Sequence, residues 1–180
     1  MRTMRTIQKE NRNKKTQSPA ARVAYAAVFI ALALIFSYVE TLIPINFAVP
    51  GIKLGLANLV IMVGLFLMPA GEVLLISVAR ILLVGFLFGN GASIMYSLAG
   101  GLLSFAVMLL LLKLTRLSIL GISIIGGTAH NIGQLIVAAL VVQNIKMVYY
   151  LPVLLAAGVV TGALIGILAG RIVPVLRRFD

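Results

Sequence analysis

Apolar residues run along this chain in long blocks, each closed by a short polar or turn-forming break. After a polar start (residues 1–22), the blocks fall at 23–43, 52–68, 72–88, 93–112, 117–142 and 149–170. A run of about 20 apolar residues has the length a helix needs to cross a bilayer core. The breaks carry turn chemistry: Pro44 and Pro50-Gly51, Pro69-Ala70-Gly71, Gly89-Asn90-Gly91, Lys113 to Arg116, and Gln143-Asn144. Pro152 sits in the first turn of the last block, where its missing N–H removes no helical bond. The pattern predicts an all-α membrane protein. It has a polar tail (1–22), six transmembrane helices (23–172) and a short basic C-terminus (173–180).

Composition agrees. The chain is 62% hydrophobic and 11% charged, whereas a soluble domain is about half apolar and about a quarter charged. Six helices with short breaks leave no room for an extramembrane domain. The first block is too long for a signal peptide and lacks a convincing cleavage site.

Charge adds a direction. The net charge is +11, with Glu10, Glu40, Glu72 and Asp180 as the only acids. The basic residues sit at block ends, which favours phospholipid head groups over nucleic acid as their partner. Six spans place both termini on one side, together with Arg2, Arg5, Lys9, Arg12, Lys14, Lys15, Arg22, Lys113, Arg116, Arg171, Arg177 and Arg178. Only Lys53 and Lys146 fall opposite, and Arg80 lies within the third block. The positive-inside rule then makes the termini cytoplasmic, in a multi-pass protein of the cell membrane. Five or seven spans would divide the basic ends between the two sides.

The same scarcity narrows the chemistry. With no cysteine and one histidine, His130, the chain offers no disulfide, thiolate, iron–sulfur or multi-histidine metal site. The only aspartate is the last residue, so there is no Ser–His–Asp set. Glu40 and Glu72 fall at opposite faces of the membrane and do not make the carboxylate cluster that Mg²⁺-dependent diphosphate chemistry needs. No Walker-type loop is present. The expectation is a chain that is not an enzyme and holds no cofactor, any ATP being used by separate subunits.

Two stripes of small residues mark close helix contacts. Ala20, Ala24, Ala27 and Ala31 share one face of the first block; Gly158, Gly162, Gly166 and Gly170 form a ridge on the last. Packing against a neighbour within the chain is the simpler account of the glycine ridge. For the alanines, internal packing and a partner surface stand level.

Polar groups within apolar spans are functional candidates, because burying them in lipid is unfavourable. Arg80 is the sharpest, its bland alternative being a structural ion pair or carbonyl cap. Glu72 opens its helix and suits the positive dipole end. Glu40 stands just before the outer loop, where a ligand contact and a salt bridge to Lys53 are both reasonable. Lys53 and Arg80 favour an anionic or zwitterionic ligand. In the fifth block, His130 and Gln134 share a face and Asn131 nearly does, which suggests a polar pocket rather than interhelical hydrogen bonding alone. Asn58, Asn90, Tyr96 and Ser97 are candidates to complete it. Tyr149 and Tyr150 read as an interfacial aromatic belt.

Taken together, Pro50-Gly51-Ile52-Lys53-Leu54-Gly55-Leu56-Ala57-Asn58, Arg80 with Leu87-Phe88-Gly89-Asn90, Tyr96-Ser97-Leu98-Ala99-Gly100-Gly101 and Ala129-His130-Asn131-Ile132-Gly133-Gln134 resemble the Gx transporter family. Its members often carry the label heptaprenyl diphosphate synthase component I. The missing carboxylate clusters argue that the label describes no catalysis by this chain. The family is similar to S components of energy-coupling factor (ECF) transporters. The resemblance implies a six-helix bundle in the bacterial plasma membrane that captures a vitamin or related micronutrient from outside. A transmembrane coupling protein and two ATPase subunits then drive uptake. It implies a docking role for Ala20, Ala24, Ala27 and Ala31, and outer loops that form or cover the site. The motifs do not fix the ligand. A membrane component of a flavin- or quinone-linked electron-transfer assembly is the alternative, and an accessory subunit of a prenyl diphosphate synthase is a third reading.

Overall fold

The computed structural model describes residues 19–42 and 55–178. They form six α-helices: α1 Pro19–Leu42, α2 Leu56–Leu67, α3 Ala70–Phe88, α4 Gly91–Leu114, α5 Ile119–Val142 and α6 Leu151–Leu176. A 3-10 helix, Ile145–Tyr150, joins the last two. The breaks work as local chemistry dictates. Gly55 takes a left-handed conformation (φ 78°) ahead of α2, which a side chain would strain. Asn90 and Ser93 cap α4 reciprocally, the Asn90 side chain accepting from Ser93 N at 2.8 Å and Ser93 Oγ accepting from Asn90 N at 3.0 Å. Ser118 caps α5 by accepting from Gly121 N. The last helix continues past the apolar block 149–170, through Pro174 to Leu176.

Five helical segments are long and apolar enough to cross a membrane. Their outward faces carry large apolar side chains, among them Phe86, Leu140, Leu75 and Val160. In water such a surface would aggregate; against lipid tails it is the matching solvent. The block at 52–68 turns out differently. Its helix, α2, has 12 residues and rises about 18 Å, short of the roughly 30 Å hydrocarbon core. Ten of those residues are buried, since α1, α3 and α6 pack around it. A helix apolar on every side belongs inside a protein. Met62, Phe66 and their neighbours on α2 form the core with Val73, Ile76, Phe105, Met108, Ile122 and Ile165.

The chain runs up and down, and pairs between distant residues fix which ends coincide. Arg22 at the start of α1 donates to Glu72 at the start of α3, from Nε at 2.8 Å and also from Nη2. Arg177, just past α6, donates to Phe66 O at 3.1 Å in the last turn of α2. Both described ends of the chain therefore lie at one end of the bundle, and the α2–α3 and α4–α5 turns share it. At the other end Tyr38 meets Phe88, ring centroids 5.3 Å apart, and Glu40 accepts a hydrogen bond from Gly55 N.

Glycine sets the closest helix contacts. On α6, a Cβ at Gly158, Gly162 or Gly166 would stand 2.9, 2.7 or 2.8 Å from the Cα of Thr128, Ile124 or Leu120 on α5. The ridge thus packs within the chain, backbone against backbone. Gly170 has nothing within 4 Å of its would-be Cβ and takes no part.

Because α2 stops short of the surface, its terminal carbonyls need partners inside the protein. Arg177 supplies one, and its guanidinium also sits 6.0 Å from the Phe66 ring centroid. Replacing Arg177 with Ala is expected to lower stability by about 1 kcal/mol, read as a reduced Tm of the purified protein in detergent. Arg178→Ala, at an exposed neighbour, is expected to leave Tm unchanged.

Candidate ligand-binding site

At the end of the bundle carrying the α3–α4 turn, five helices enclose a polar cleft. Ser37 and Glu40 come from α1, Asn58 from α2, Arg80 from α3, Ser93 and Ser97 from α4, and His130 and Gln134 from α5. Gly55, Gly85 and Gly89 complete the wall with Ile81 and Val84. Among the described residues the enclosed space is about 40 Å³. The enclosed volume holds water-sized guests.

Helix packing explains why these side chains converge. A Cβ at Gly100 would lie 2.7 Å from His130 O and from Gln134 Cγ, and one at Gly133 would lie 2.7 Å from Ala99 O. These glycines let α4 and α5 touch, which sets His130 and Gln134 at the cleft wall. A Cβ at Gly85 would meet Ile94 Cγ1 at 2.0 Å, so the same economy holds α3 against α4.

Arg80 is the centre of the polar network. It is 8% exposed. Its Nη2 donates to Asn58 Oδ1 at 2.6 Å, its charge interacts with that of Glu40, and its buried Nε has no hydrogen-bond partner among the described residues. Burying a guanidinium is unfavourable unless charge and hydrogen bonds compensate. Glu40 and the Asn58 oxygen provide that compensation in part.

The other sequence candidates divide. Asn131 is buried and lines the adjoining space rather than this cleft, donating from Nδ2 to Leu154 O at 2.7 Å and tying α5 to α6. Asn90 is exposed and its side chain caps α4. Tyr96 is half-buried on α4 and does not line the cleft. Tyr149 and Tyr150 are exposed in the 3-10 helix. Lys53 lies outside the described residues. Ser37 and Ser93 are lining residues that sequence reasoning passed over. The signal for Ser37 was its place three residues before Glu40, on the same helical face.

A second space continues inward from the first, with Gly55, Asn58 and His130 shared between them. Met62, Met108, Ser104, Ser123, Thr161 and Asn131 line it. On the outside of the bundle, Ala20, Ala24, Ala27 and Ala31 are all exposed on α1.

Residues 29–172 match the family described as heptaprenyl diphosphate synthase component I. The chain belongs to that family. The matched stretch runs from the middle of α1 to near the end of α6, so it contains every residue of the cleft and Ala31, while Ala20, Ala24 and Ala27 precede it. No curated protein and no solved structure matches this family member.

Proposed function

We propose that this chain is the substrate-binding membrane subunit of an ECF-type uptake transporter, capturing a micronutrient from outside the cell. The cleft is its binding site, and ATP is hydrolysed by separate subunits. The observation that carries this reading is the convergence of five helices on a buried Arg80, with Asn58, Glu40, His130 and Gln134 around it. A bundle that needed only to pack has no use for a guanidinium there. The cleft lies toward the end opposite Arg22, Lys113, Arg116 and Arg177. With basic residues facing the cytoplasm, that end faces outward.

The synthase in the family's name finds no support in the residues. Besides the cleft's Glu40, the acids are Glu10, Glu72 and Asp180, too few for the carboxylate cluster that Mg²⁺-dependent diphosphate chemistry needs. We read the chain as a binding protein without catalytic activity.

The test is a thermal-shift screen of purified protein against vitamins, flavins and quinones. A ligand present at 100 times its Kd is expected to raise stability by about 2.7 kcal/mol, with the gain lost in His130→Ala or Gln134→Ala. Stabilisation by quinones alone would move the protein to the electron-transfer class instead. The exposed alanine stripe supports docking of a membrane coupling protein, since small side chains let a second helix approach closely. Ala27→Leu with Ala31→Leu is expected to abolish co-purification with the coupling protein and ATPases while leaving ligand stabilisation intact. Undiminished co-purification would remove α1 from the interface.

A further inference from the structure

We propose that the ligand is a compact organic acid: a single carboxylate that pairs with Arg80, and an uncharged body that enters the deeper space past Asn58 and His130. The inference rests on reading the cleft as a ligand site and specifies what that site takes.

The guanidinium sets the head group. Nε and Nη2 lie on the same edge of Arg80 and form the fork that receives the two oxygens of a carboxylate. In this structure one tine is on a neutral acceptor, Asn58 Oδ1 at 2.6 Å. The other, Nε, is buried without an acceptor among the described residues. A buried N–H in that condition is unfavourable, and a carboxylate satisfies both tines once the Asn58 amide turns aside. Arg80 and Glu40 are the charged residues of the cleft wall, one of each sign. One positive group beside one negative group leaves the wall with no net charge: an acid with an ammonium turned to Glu40 matches both, and a simple monoanion is held by the geometry of the fork rather than by net attraction. A phosphate dianion would meet too little positive charge and direct repulsion from Glu40.

The deeper space sets the body. It shares Asn58 and His130 with the cleft, and its lining carries no Asp, Glu, Lys or Arg. Met62 and Met108 offer adaptable apolar contacts; Ser104 and Thr161 offer hydroxyls. The enclosed volumes are about 40 and about 20 Å³. As it stands the enclosed space holds water-sized guests, so the lining side chains must part for a ligand body, and a small body with a few hydrogen-bonding groups demands far less displacement than a nucleotide-sized one.

The experiment uses the full chain in detergent and compares acids with their neutral twins by thermal shift: nicotinate and nicotinamide, pantothenate and panthenol, biotin and biotin amide, lipoate and lipoamide. Pyridoxal phosphate and flavin mononucleotide form a phosphate arm, and small molecules released from freshly purified protein are identified by mass spectrometry. An acid is expected to stabilise the protein or to co-purify, with its neutral twin at least about tenfold weaker. Arg80→Lys keeps the charge but loses the fork, and should weaken the acid by about tenfold or more. Ser104→Leu, which fills the deeper space, should exclude biotin more strongly than nicotinate. Each variant counts only at a Tm close to wild type, and Arg80→Gln replaces Arg80→Lys if the latter fails that criterion. Preferential binding of a neutral or phosphorylated compound, or undiminished acid binding without the Arg80 fork, overturns the carboxylate assignment and leaves the cleft a binding site. If nothing stabilises the protein and nothing co-purifies, the binding reading falls with it.

Discussion

Gly162→Leu is expected to destabilise the bundle by about 3 kcal/mol or more, whereas Gly170→Leu on the same ridge is expected to change stability by less than about 0.5 kcal/mol. At Gly162 even a Cβ would stand 2.7 Å from both Ile124 Cα and Ser123 O. These are backbone atoms, which no rotamer change can move aside. A leucine must therefore push α6 away from α5, and the gap would open along the contacts made by Gly158 and Gly166. Dispersion falls steeply with separation, and helix association in lipid depends on it in place of a hydrophobic driving force. At Gly170 nothing lies within 4 Å of the would-be Cβ, so a side chain there has open space to enter. Unfolding of the two variants in mixed micelles measures the difference. Equal effects would mean that the ridge is not packed as described.

Asn58→Leu should be the most damaging single change in the cleft, at about 2–3 kcal/mol. It removes the acceptor 2.6 Å from Arg80 Nη2 and leaves a second guanidinium nitrogen in the buried network without that partner. Removing one member of a buried polar pair generally costs more than removing both. The double variant Asn58→Leu, Arg80→Met is therefore expected to be more stable than Asn58→Leu alone, although it should bind no acid. Additive losses in this cycle would show that Glu40 alone compensates the Arg80 charge and that Asn58 is dispensable to it.

Much of this architecture can be read from residue order. The breaks at Pro69, at Gly89-Asn90 and around Thr115-Arg116 fall where turn chemistry puts them, because those preferences act over three or four residues. Five long helices follow from length and hydropathy in the same local way. His130 and Gln134 could be paired from their spacing, and Arg80 singled out from its cost in an apolar span. The length of α2 was less legible: an apolar block gives the same signal whether it faces lipid or protein. Only packing by α1, α3 and α6 distinguishes a buried 12-residue helix from a longer, lipid-facing one. Asn131 illustrates the limit at the site. It adjoins His130 in sequence, yet a step of about 100° around the helix turns it to Leu154 on α6.

The pattern of apolar blocks by itself determined a helical membrane protein, the positions of its turns and the distribution of its charge, since each depends on a residue and its near neighbours. The tertiary structure alone decided that Ser37, Asn58, Arg80, His130 and Gln134 meet, and that the glycine ridge is used inside the chain. Those facts depend on which helix faces lie together. That choice is made by contacts between residues tens of positions apart, at distances where a single methyl group is enough to forbid the approach.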